Sequence, residues 1–190
     1  MKKRKTPIKF LPLFAIVAFL GGYLTGKQDL QRLEWSAAHP IAEHAIKVRF
    51  SPNEACVALI KEAINLAQEQ ILVHAYSFTS AEIVQELIKA HNRGIQVKIL
   101  VDRSQLRARG SQVDVVKGHN ISIKIDRVSG IAHNKVMIID DMHVLTGSFN
   151  WSQAAATSNA ENLLLITDKE INQLYTANWI ERAKHAEVIP

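Results

Sequence analysis

His133 and Lys135 stand two residues apart, Asp140 follows after four more, and Gly147-Ser148-x-Asn150 after a further six. In an extended strand, positions i and i+2 point to one side, so the imidazole and the ammonium share a face. That pair suits a core poorly. A buried lysine is costly unless something anionic compensates its charge, and a phosphate would do so. Gly147 permits close backbone approach, Ser148 offers a hydroxyl and Asn150 an amide. Donors of this kind hold tetrahedral oxyanions. The implied chemistry is attack by a histidine nitrogen on phosphorus, with the lysine and the asparagine neutralising the equatorial oxygens. The set contains no cluster of carboxylates at metal-ligand spacing. The lysine therefore takes over the task of a cation, and neither metal nor cofactor is expected.

The surrounding pattern says what must position these groups. Residues 47–50 read as a short strand before Ser51-Pro52, and residues 55–67 as a helix by their apolar spacing. Residues 71–76 form an apolar strand. Thr79 with Glu82 three positions on reads as a capping box, opening a helix that ends at Gly94. Strands are expected over 95–101 and 121–125, with a weaker helix at 104–118 between them. Residues 135–139, a turn at Asp140-Asp141 and residues 143–146 read as a hairpin. A strand at 162–166 and an amphipathic helix at 168–186 close the chain. Strands alternate with helices and a hairpin then interrupts, which predicts an α/β domain with a mixed β-sheet flanked by helices.

The chain has 190 residues, 47% of them hydrophobic and 22% charged, so disordered and low-complexity classes are excluded. One cysteine, Cys56, rules out an internal disulfide and falls on the apolar face of a helix. The net charge of +5 is matched by Lys2, Lys3, Arg4, Lys5 and Lys9 alone, so the pI is no evidence for nucleic-acid binding by the domain. Locally, Arg93 to Arg127 carries eight cations against three acids, a run that fits a phosphate-tracking face or a solvated one.

The five cations precede the uncharged run FLPLFAIVAFLGGYL. A basic segment followed by an apolar one marks a secretory signal. No cleavage-type pair follows closely, the first being Ser36-x-Ala38, so an uncleaved anchor over residues 1–26 is preferred to a cleaved signal peptide. With Thr25 and Gly26 the apolar stretch reaches roughly 25 Å as a helix, just enough to span a membrane. The basic end would stay in the cytoplasm and the domain outside. Residues 27–46 read as a juxtamembrane spacer, and the domain occupies 47–190.

The string HNKVMIIDDMHVLTGSFN resembles the HKD motif of the phospholipase D superfamily at every motif position. AYSFTS at 75–80, the strand–helix–strand around Arg93-Gly94 and Ala160-Glu161-Asn162 resemble the small bacterial Nuc-type endonucleases, so the likeness spans roughly residues 47–185. It implies a phospholipase D/nuclease-like fold with one HKD motif per chain. It implies His133 as a nucleophile forming a phosphohistidine, with Lys135, Asn150 and Ser148 on the phosphate. Asp140 completes the catalytic motif as an organiser at a strand end, and Gly147 supports the site. Glu161 is expected to hydrogen-bond the second nitrogen of His133. These enzymes are similar in needing no metal.

The chemistry needs one histidine to attack and one to protonate the leaving oxygen, and the chain has one His-x-Lys. A C₂ homodimer with both His133 side chains on one phosphate is therefore expected. The favoured activity is a metal-independent endonuclease on DNA, extending to RNA, at the outer face of a bacterial inner membrane. A phospholipid hydrolase and a non-catalytic surface DNA-binding protein for uptake are the alternatives. Among the remaining residues, His74 reads as a satisfied sheet histidine. Trp151 fits either base stacking or packing, and Ser77 either the cleft or a turn.

Overall fold

The computed structural model describes residues 46–189. The expected anchor (1–26) and, apart from Ile46, the spacer (27–46) lie outside them. The chain runs β1 (Ile46–Ser51), α1 (Ala55–Leu66), β2 (Gln70–Ala75), α2 (Ala81–Asn92) and β3 (Gln96–Val101). A 3₁₀ turn (Arg103–Leu106) and α3 (Val113–Gly118) lead to β4 (Ser122–Ile125). The hairpin β5 (Lys135–Ile139) and β6 (His143–Gly147) precede α4 (Gln153–Thr157), β7 (Glu161–Thr167), α5 (Lys169–Lys184) and a short β8 (Glu187–Val188).

The eight strands form one mixed sheet in the order β1-β7-β6-β5-β2-β3-β4-β8. β2, β3 and β4 run parallel, and the remaining neighbours are antiparallel. Parallel neighbours need crossovers, which α2 and the segment containing α3 supply. Alternating strand positions feed two cores. Ile71, Val73, Met137, Ile139 and Leu145 pack with Ile60, Ile64, Ile83 and Leu87 of α1 and α2. Leu72, Leu100, Val136, Ile138 and Val144 pack with Trp179 of α5. Cys56 is buried in the first core. The mixed α/β sheet flanked by helices is the architecture expected from the sequence.

Three local expectations change. The helix after β2 is capped by Ser80, whose hydroxyl accepts from the Ile83 N–H at 3.3 Å. The Thr79 and Ser80 N–H groups both donate to the Trp151 carbonyl, which fixes Thr79 in the preceding loop. The helix expected over 104–118 is broken into the 3₁₀ turn and α3, because Gly110 between them adopts φ +78°. The closing helix buries only Asn172 and Trp179 fully and leaves Leu174 and Ile180 exposed, so its apolar stripe is narrow.

Parallel and antiparallel halves of the sheet meet where β2 pairs with β5. Ala75 lies opposite Lys135, Val136 opposite Thr146, and Gly147 opposite Leu163. One edge of the sheet thus collects the end of β2, the start of β5, the end of β6 and the start of β7.

Candidate active site

That edge carries most of the residues singled out above. His133 is exposed on the loop ahead of β5, and its ring packs on Tyr76 with centroids 4.3 Å apart. Lys135, the first residue of β5, is only 8% exposed. Its Nζ donates to the His133 carbonyl at 2.9 Å and lies 4.9 Å from the Tyr76 ring centroid. Burial pulls this ammonium below the usual lysine value, and the Glu161 carboxylate opposes the shift. Lys135 forms no ion pair among the described residues. A cation held by one carbonyl and a π face, and almost wholly out of water, is poised for an anion.

At Gly147, which ends β6, β7 comes so close that a Cβ would collide with the Asn162 carbonyl oxygen. That carbonyl accepts the N–H groups of both Ser148 and Phe149, at 3.1 and 3.2 Å. Ser148 Oγ donates to Glu161 Oε2 at 2.5 Å and accepts from the Asn162 N–H at 3.1 Å. The other Glu161 oxygen accepts from Asn159 Nδ2 at 2.9 Å. Asn150 Oδ1 is buried and has no hydrogen-bond partner among the described residues. An unpaired amide oxygen of this kind costs about 1–3 kcal/mol. A site retains such a group where something else completes it.

Two expectations about roles change. Asp140 lies at the opposite end of β5 from Lys135, in the turn to β6, with φ +50°. Its carboxylate accepts from the N–H groups of Gln68, Glu69 and Gln70, each at 2.9 Å. It clamps the connection entering β2 and does not join the site, so it organises the fold rather than the chemistry. Glu161 does reach the site, but its oxygens are taken by Ser148 and Asn159, and it forms no hydrogen bond with His133. Trp151 is fully buried and donates from Nε1 to the His74 carbonyl, which is a packing role. His74 is satisfied by Asp126 at 2.7 Å, behind the site.

Sequence reasoning missed Asp102, and it placed Tyr76, within AYSFTS, at the end of a strand facing the site without giving it a role. Tyr76 touches both His133 and Lys135, and its position directly after an apolar strand was the available signal. Asp102 follows β3 and holds two loops through its carboxylate. An acid closing a strand two residues before a serine was its only mark in the sequence. No group of three or more His, Cys, Asp or Glu that could hold a metal occurs among the described residues.

A mixed sheet that sets an exposed histidine beside a buried lysine without an ion pair among the described residues makes a receptor for an anion such as a phosphate. Comparisons narrow it. Residues 60–182 match the family described as "Cardiolipin synthase, PLD-like domain". A protein named Phospholipase D from Rickettsia bellii is 42% identical over 142 residues, covering 75% of this chain and 71% of the relative. The solved structure of Nuc, a phospholipase D family member from Salmonella typhimurium, is similar with TM-score 0.72 and 32% identity, covering 76% of this chain and 97% of that one. NucT from Helicobacter pylori is similar with TM-score 0.69 and 26% identity, covering 76% of this chain and 99% of that one. The chain belongs to the phospholipase D-like family and is a phosphodiesterase of that superfamily.

Proposed function

We propose that the protein is a metal-independent endonuclease that cleaves DNA, and RNA by the same chemistry, through a phosphohistidine. The observation that carries this is the buried, unpaired Lys135 at the foot of the exposed His133. A His133 nitrogen attacks phosphorus and the P–O bond to the leaving group breaks. Lys135 and Asn150 hold the non-bridging oxygens, where their donors gain most as charge builds, while Ser148, its hydroxyl proton given to Glu161, positions that carboxylate beside them. A second histidine protonates the leaving oxygen, then takes a proton from the water that breaks the P–N bond.

The second histidine is the His133 of another subunit, because the sequence contains one His-x-Lys. A polymeric substrate is supported by an open cleft of about 360 Å³ beside the loop between β3 and β4, which Arg103, Arg107 and Arg127 line. Among the described residues only Arg127 of the three forms an ion pair, with Glu187. Such cations track a phosphate backbone. The apolar segment after the N-terminal cations supports a place at the outer face of a bacterial inner membrane. A phospholipid substrate is the second reading, favoured by Ile131, which is 56% exposed two residues before His133.

The test incubates the full-length protein in detergent with supercoiled plasmid and single-stranded oligonucleotide in excess EDTA, beside His133→Ala. Degradation by the wild type alone is expected. Inactivity on both, with hydrolysis of phosphatidylglycerol or cardiolipin vesicles, would transfer the assignment to lipid. Equal degradation by both proteins would refute the role of His133.

A further inference from the structure

We propose that Asp102 is a positioning residue for His133, acting through the peptide that precedes the nucleophile. It rests on His133 being that nucleophile. Asp102 is 1% exposed at the end of β3. One carboxylate oxygen accepts from the Ala132 N–H at 2.7 Å, and the other from the Ser104 N–H at 2.9 Å. Burial alone would raise its pKa. The hydrogen bonds from Ser104 and Ala132 outweigh that and hold the carboxyl below its usual range, so it serves both partners as an anion.

The loop between β4 and β5 explains why this matters. It has no regular structure from Asp126 to Asn134, and residues 127–131 lie at the surface. The His133 side chain forms no hydrogen bond among the described residues and only leans on Tyr76. Its position is therefore set by its own backbone. After His133, the chain is well held: Lys135 Nζ grips the His133 carbonyl, and the Tyr76 N–H donates to the Asn134 carbonyl at 3.0 Å. Before His133, the Ala132 N–H is held by Asp102 alone, inside a residue that is 3% exposed. Removing the carboxylate orphans a buried donor and releases the peptide next to His133, because the upstream anchors, Arg182 on the Arg127 carbonyl and Glu187 on the Arg127 side chain, lie five or more residues before Ala132. A nucleophile displaced by about 1 Å can lose 10²-fold in rate.

The experiment uses full-length protein and a small activated diester, bis-p-nitrophenyl phosphate, whose binding does not depend on distant contacts. Rates are taken per folded molecule, with the folded fraction measured by circular dichroism at the assay temperature. Asp102→Ala is expected to lower kcat on the order of 100-fold with KM changed less than about 3-fold. Asp102→Asn keeps one accepting oxygen but turns an amide nitrogen toward the other N–H, so an intermediate loss near 10-fold is expected. If Asp102→Ala does not fold, the asparagine variant decides. A kcat per folded molecule within about 2-fold of wild type in the folded variants would overturn the proposal and leave Asp102 a structural cap. His133→Ala is run in parallel. Activity surviving there would remove the nucleophile reading itself, a failure separate from that of Asp102.

Discussion

The two ends of β5 carry charged residues of one motif and treat them in opposite ways. At the turn end, Asp140 accepts three backbone N–H groups at 2.9 Å, so its charge is fully employed by the fold. At the site end, Lys135 is buried with one carbonyl and one aromatic face for company. The first arrangement is complete and the second is not. Saturation marks the residue that holds the sheet together, and deficiency marks the one kept for a ligand.

The sharpest way to break this comparison is Lys135→Met. It removes a cation whose burial is uncompensated, so the melting temperature is expected to hold or rise. Turnover of the small diester should fall on the order of 10³-fold or more, because the lysine stabilises charge that builds in the transition state. A destabilised variant with near-normal kcat would reverse the assignment and make Lys135 a structural residue.

Asp140→Ala is the mirror experiment. Three charge-assisted bonds to the segment entering β2 disappear, and alanine must adopt the φ of +50° that aspartate tolerates. Stability measured by urea unfolding is expected to fall by about 2–4 kcal/mol. The kcat per folded molecule should stay near wild type. A specific loss of kcat with unchanged stability would bring Asp140 back into the chemistry.

The legibility of the sequence follows the same division. The period-2 spacing of His133 and Lys135 and the β5–β6 hairpin were readable because strand geometry is local. So was the placement of Ser148, Asn150 and Glu161 near that edge, through the family resemblance. The partner of Glu161 was not readable, since Ser148 and Asn159 reach it only once β6 and β7 pair. Ser80 displaced Thr79 as a cap because the Trp151 carbonyl, seventy residues on, takes the Thr79 N–H. Asp102 escaped notice for the same reason: its partner Ala132 lies thirty residues away. Local periodicity reveals which side chains share a face, whereas hydrogen bonds between loops depend on tertiary structure.

A third buried ionisable group sharpens the comparison with the smallest effect. His74 is 2% exposed on β2, paired with Asp126, whose carboxylate Arg182 also holds. Burial lowers the His74 pKa, the Asp126 hydrogen bond and charge oppose the shift, and Arg182 adds to it. The unfolded chain then takes up a proton near pH 6.5 that the folded chain resists. Stability is accordingly full above that pH and declines as pH falls below it, by at most about 1.4 kcal/mol per pH unit for one group. Asp126 stays satisfied by Arg182, so His74→Gln should retain the fold and flatten this part of the stability profile between pH 7 and 5. An unchanged profile would mean that His74 takes its proton as readily in the folded as in the unfolded chain, and a stability that instead falls as pH rises through this range would mean a folded histidinium paired with Asp126, saturated like the Asp140 clamp rather than a neutral donor to a carboxylate that Arg182 has claimed.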